Sequence, residues 1–96
     1  MSDPTNEQAA RRLEALRTRG QAFDREYEAL RRELEGYARS ISGARADQAD
    51  FQPESIVAHA LSKAMVPAVE QCQDDGHLAG WLKQAVRHEL LDRVEK

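Results

Sequence analysis

The residues able to do chemistry in this chain are few and badly spaced for it. His59, His77, His88 and Cys72 are the only soft ligands a transition metal could use. A structural zinc site draws its ligands from paired short spacings, and the Cys72 to His77 stretch supplies no such pair. A nucleophilic cysteine needs a base within hydrogen-bond reach, which nearness in sequence does not provide. Asp74 and Asp75 fall in the polar stretch Gln71 to His77, where solvated carboxylates are the ordinary state. No glycine-rich phosphate loop occurs. The chain therefore reads as a non-enzyme with no catalytic residue, cofactor or metal, one that works by binding other macromolecules. Cys72 reads as a small apolar packing residue near the end of a helix. With a single cysteine, no apolar stretch after the polar Met1 to Gln8, and no run of about 18 apolar residues, the expected setting is reducing cytoplasm with no membrane role.

Charge narrows the partners. The 96 residues carry a net charge of -3, which excludes a broad basic surface for non-specific nucleic-acid binding. The balance is uneven: residues 1–46 hold nine arginines against eight acids, and residues 47–96 hold five Lys/Arg against nine acids. Contact with nucleic acid must then depend on where single cations stand.

The elements that would position these residues are helical. Composition is 41% hydrophobic, 32% charged and only 5% aromatic, rich in residues that lose little on entering a helix. Ala9, Leu13, Leu16, Gly20, Phe23, Tyr27, Leu30, Leu34, Tyr37 and Ile41 alternate at spacings of four and three, one stripe of a helix. Glu28 and Arg32 pair at i,i+4 on another face. Gly20 predicts a break, with helices over 6–19 and 21–42, and one continuous helix is the alternative. Gly43 predicts a stop, and residues 44–52 a polar connector. Pro53 followed by Glu54 announces a third helix over 53–70, which Pro67 should end or kink. Ile56, Val57, Ala60, Leu61, Ala64 and Met65 form its apolar face. A loop at Gln71–His77 leads to a fourth helix over 77–95, with Leu78, Trp81, Leu82, Ala85, Val86, Leu90 and Val94 on its apolar side. The expected fold is all-α, a small orthogonal or bundle-like assembly of about four helices: residues 1–5 as a disordered tail and 6–96 as one domain with a thin core.

Three blocks carry a family resemblance: Leu34-Glu35-Gly36-Tyr37-Ala38-Arg39-Ser40-Ile41, then Glu54 to Met65, then Trp81-Leu82-Lys83-Gln84-Ala85-Val86-Arg87-His88-Glu89-Leu90-Leu91-Asp92-Arg93. Over Leu30 to Lys96, about two thirds of the chain, the sequence resembles the second conserved region of bacterial sigma factors, especially the extracytoplasmic-function class. It has no counterpart of that family's minus-thirty-five-reading domain. The resemblance implies a module that binds core RNA polymerase, at the clamp helices of its largest subunit, through Glu54, Ser55, Ala58, His59 and Ser62. It implies contact with minus-ten promoter DNA, the non-template strand, through Trp81, Lys83, Arg87, His88 and Arg93, with the Gln71–His77 loop placed to capture a flipped base. A regulatory protein is a further partner of such modules. Ser55 and Ala58 stand where the family carries Asp and Gln.

Two residue-level alternatives stand beside that reading. Trp81 lies on the apolar stripe and serves either as core or as a stacking platform, while Arg87 and Arg93 serve either DNA or local salt bridges to Glu89 and Asp92. At the level of the chain, the stripe over residues 9–41 spans more than four heptads and is also what a helical adaptor dimerising as a coiled coil would show.

Overall fold

The computed structural model describes residues 11–95, with nothing said of the side chains of Ala46 and Asp50. The expected tail over 1–5 and the first five residues of the expected first helix, Ala9 among them, lie outside the described residues. Within them are four α-helices and no strand: α1 (Arg11–Thr18), α2 (Phe23–Ser42), α3 (Pro53–Gln71) and α4 (Asp75–Glu95), with short 3-10 turns at Gly43–Asp47 and Ala49–Phe51. No helix among them is long and apolar enough to cross a membrane.

The break after α1 falls where Gly20 predicts it, but the residue in the left-handed region is Arg19, at φ 51°. The stop after α2 is Gly43, at φ 58° and ψ -130°, whose N–H donates to the Arg39 carbonyl. That conformation is open to glycine and strained for other residues. Pro53 begins α3, where its missing N–H has no helical partner to lose. The polar connector expected over residues 44–52 coils into the two 3-10 turns.

Helices α3 and α4 pair along their lengths in antiparallel fashion, α2 lies against both, and α1 closes over the end near the α3–α4 turn. The core joins Leu13, Leu16, Leu30 and Leu34 to Ile56, Val57, Ala60 and Leu61, and to Leu78, Leu82 and Val86. Phe23 and Tyr27 stack at 5.7 Å on its margin. Leu13, Leu16, Leu30 and Leu34 of the stripe are thus buried by the chain's own α3 and α4, while Gly20 and Ile41 are exposed.

Three local expectations are corrected. Pro67 does not end α3, which continues to Gln71 because the flanking Ala68, Ile56 and Leu61 side of the helix is held in the core. The loop expected over Gln71–His77 shrinks to three residues, because Asp74 accepts a hydrogen bond from the His77 N–H (2.7 Å) and so caps a helix that starts at Asp75. Val94, expected on the apolar inner side of α4, is 43% exposed. The inward line runs Leu82, Val86, Glu89, Arg93, and Val94 lies about 100° round the helix from Arg93.

Candidate functional site

The polar residues singled out by the resemblance divide into an inner seam and an outer strip. Along the seam between α3 and α4, Glu89 is buried on the core side of α4. Arg93 Nε donates to Glu89 Oε1 at 3.2 Å, and Lys63 Nζ donates to Oε2 at 3.4 Å. His59 Nδ1 lies 4.0 Å from Oε1. Burial opposes ionisation of Glu89, but the hydrogen bonds from Arg93 and Lys63 and their charges outweigh it, and the carboxyl sits below its usual range. Arg93 also donates through Nη1 to Ser55 Oγ at 3.2 Å and through Nη2 to the Ser55 carbonyl at 3.5 Å. Arg93, expected toward DNA, and Ser55, expected toward polymerase, therefore meet each other, and the two assigned surfaces merge here. Arg93 points inward because it continues the apolar line of α4 and finds the Glu89 carboxylate there, the local salt bridge that was its alternative use.

The remaining residues assigned to polymerase lie outward on α3. Glu54, Ala58, His59 and Ser62 are all exposed. Glu54 pairs with Arg39 of α2 at 3.7 Å, and Ser62 Oγ donates to the His59 carbonyl at 2.7 Å.

The outward half of α4 is different in character. From Gly76 to Leu91 its exposed residues are Gly76, His77, Gly80, Lys83, Gln84, Arg87, His88 and Leu91, with no acid among them. Of the neighbouring acids, Glu89 within the stretch is buried toward α3, Asp75 before it is tied to α1, and Asp92, exposed, marks its C-terminal limit. Lys83 Nζ lies over the Tyr37 ring at 5.5 Å from its centroid. Trp81 is half-buried at the opposite margin, edge-on to His77 at 6.2 Å, and with Ala64, Pro67, Gln84, Ala85 and His88 lines a cleft of about 610 Å³ between α3 and α4. Trp81 thus packs on the core and keeps part of its surface open. Lys83 and Arg87 stand on the α2 side of the strip, Trp81 and His88 on the α3 side.

Several structural anchors were not legible as such. Asp75 accepts hydrogen bonds from the backbone N–H groups of Arg12 (3.0 Å) and Leu13 (2.7 Å), across the fold. Arg17 donates to the carbonyls of Val69 (2.7 Å) and Cys72 (2.5 Å), closing the C-terminal turn of α3. Arg12 makes two hydrogen bonds to Glu33 (2.7 and 3.0 Å) and one to Glu26 (3.3 Å). The Glu33 bond is the main influence that raises the Arg12 guanidinium above its usual value. Arg31 pairs with Glu28 and, at 2.5 Å, with Glu35; the expected Glu28–Arg32 pair is present at 3.5 Å. Cys72 is buried beside Arg17, and burial pushes its thiol up, away from the reactive thiolate. Of the two acids read as solvated loop residues, Asp74 is exposed in the loop and also caps α4, whereas Asp75 starts α4 and serves as a tether. The connection left between α3 and α4 is Cys72 to Asp74.

No protein-family model matches this chain, and searches of curated proteins and of solved structures return no match.

Proposed function

We propose that this chain is a sigma-region-two-like transcription module, binding core RNA polymerase through the outward face of α3 and one strand of minus-ten promoter DNA through the outward strip of α4. The observation that carries the reading is the acid-free strip from Gly76 to Leu91 in a chain of net charge -3. Such segregation lets Lys83 and Arg87 neutralise phosphates without repulsion from an acid within the strip. The strip is about 23 Å long at 1.5 Å per residue, enough for roughly six or seven nucleotides at 3.4 Å each. On α3, Glu54, Ala58, His59 and Ser62 form a separate solvent-facing surface for the clamp helices. Within this reading Arg93 and Ser55 hold the two helices together and touch neither partner. The coiled-coil adaptor ranks second, because dimerising through residues 9–41 would draw on Leu13, Leu16, Leu30 and Leu34, which one chain already buries in its core.

The test is binding of the full chain to purified bacterial core polymerase and to a single-stranded non-template minus-ten oligonucleotide. Ala58→Glu with His59→Glu should abolish the first and spare the second. Lys83→Ala with Arg87→Ala should weaken the second and flatten its salt dependence by about 0.7 per lost phosphate contact. Failure of the wild-type chain to bind either partner, or an unchanged salt slope, overturns the assignment.

A further inference from the structure

The end of the bundle where α2 and α4 finish carries an apolar surface that the fold does not use. Tyr37 and Ile41 of α2, with Arg87, Leu90 and Leu91 of α4, line a groove of about 290 Å³. Ile41 is 36% exposed, Leu91 51%, and Val94, the next turn along α4 from Leu90 and Leu91, 43%. Of the large apolar side chains exposed among the described residues, only Val66 lies elsewhere, on α3 beside a different groove. Single exposed apolar residues are ordinary, but a contiguous set marks a contact surface. The rim here is cationic: Arg87 makes no ion pair or hydrogen bond among the described residues, and Lys83 leans over Tyr37. None of the neighbouring acids lines this groove: Glu89 and Asp92 of α4 line a different one with Ala60, Lys63 and His88, Glu95 lies one turn beyond Leu91, and Glu33 of α2 stands within electrostatic reach of Lys83.

We propose that this groove docks an amphipathic helix of a partner protein, with apolar residues at i, i+3 or i+4 and i+7 flanked by glutamate or aspartate. Two helices running side by side leave a channel of the shape that receives a third, with apolar anchors at that spacing. Charge selects the occupant. A second copy docked about a two-fold axis would bring Arg87 and Lys83 against their own equivalents, a like-charge juxtaposition with no acid of the groove to relieve it. Acidic flanks on a partner helix meet the same two cations favourably. The docking stands independently of the polymerase and DNA reading and shares with it Lys83, Arg87 and Leu91.

The probe is a synthetic helical peptide with leucines at those spacings and glutamates on both flanks, together with a twin carrying lysine at every glutamate. Each is titrated into the full chain and followed by backbone and methyl NMR. The acidic peptide should shift Tyr37, Ile41, Leu90, Leu91 and Val94 and leave the Val66 region unmoved. It should bind at least roughly tenfold more tightly than its twin, and Arg87→Glu should reverse that preference. Because Arg87 and Leu91 are exposed, Arg87→Glu and Leu91→Ser should retain the wild-type far-UV spectrum, and Leu91→Ser should weaken the acidic peptide. Equal binding of both peptides, shifts confined to another face, or no binding overturns the proposal. So does concentration-dependent self-association that Leu91→Ser abolishes, which would assign the groove to a second copy.

Discussion

Arg87 and Arg93 stand six positions apart on one helix and do different work. Arg93 closes the α3–α4 seam on Glu89 and Ser55, whereas Arg87 is exposed on the outer strip. Arg93→Ala should lower stability by about 1–3 kcal/mol, the cost of losing hydrogen bonds to a charged group in a part-buried setting. Arg87→Ala should stay within about 0.5 kcal/mol of wild type, and thermal unfolding of the two variants separates the roles. Glu89 gives the seam a pH dependence. Its carboxyl ionises at lower pH in the folded chain than in the unfolded one, where the reference value is 4.5. The stability it contributes is therefore complete above about 4.5 and lost as pH falls through the lower folded value. Glu89→Gln should flatten the fall in melting temperature at the acid end, and an unchanged acid limb would count against the seam. Ser42 is the opposite case, a buried hydroxyl with no hydrogen-bond partner among the described residues. Ser42→Ala should raise stability by about 1 kcal/mol, read by urea denaturation. The seam was half legible in the sequence, since Leu82, Val86, Glu89 and Arg93 follow one another at spacings of four, three and four. Two charged residues of opposite sign continuing an apolar line signal an internal pair, but the Ser55 contact depends on how α3 and α4 register and had no local signal.

At the scale of elements, periodicity and punctuation placed the helices well, and tertiary packing moved their ends. The breaks at Gly20 and Gly43 and the start at Pro53 follow from backbone chemistry that residue type alone dictates. Pro67 misleads because it removes the N–H that would reach the Lys63 carbonyl but does not change the core contacts of the turns on either side. Pro67→Ala restores that bond and should stabilise the chain by about 1–3 kcal/mol, less whatever packing the ring supplies to the Trp81 cleft. A lower melting temperature would show that the ring's packing dominates. Gly43→Ala should destabilise by about 1–3 kcal/mol, because its backbone lies where a Cβ is strained. Space is not the obstacle there, since an added Cβ would meet nothing within 4 Å.

Across the whole molecule, α1 is held both by two core leucines and by long-range polar ties. Asp75 receives its Arg12 and Leu13 N–H groups, Arg17 reaches the end of α3, and Arg12 bridges to α2, while Leu13 and Leu16 enter the core. Asp75→Ala with Arg17→Ala should release α1 as a unit: amide exchange at Leu13 and Leu16 should quicken while Ile56, Leu82 and Val86 keep their protection. Uniform loss of protection would mean that α1 and the other helices form one cooperative body. Two of these ties end on the α3–α4 turn, at Cys72 and Asp75, more than 50 residues further along the chain. A ribosome delivers the chain from its amino terminus, so the earliest of the described helices to be made finds its fastenings only after most of the protein has emerged. Until then Leu13 and Leu16 have no finished pocket to enter, and this first helix waits for the last to complete it.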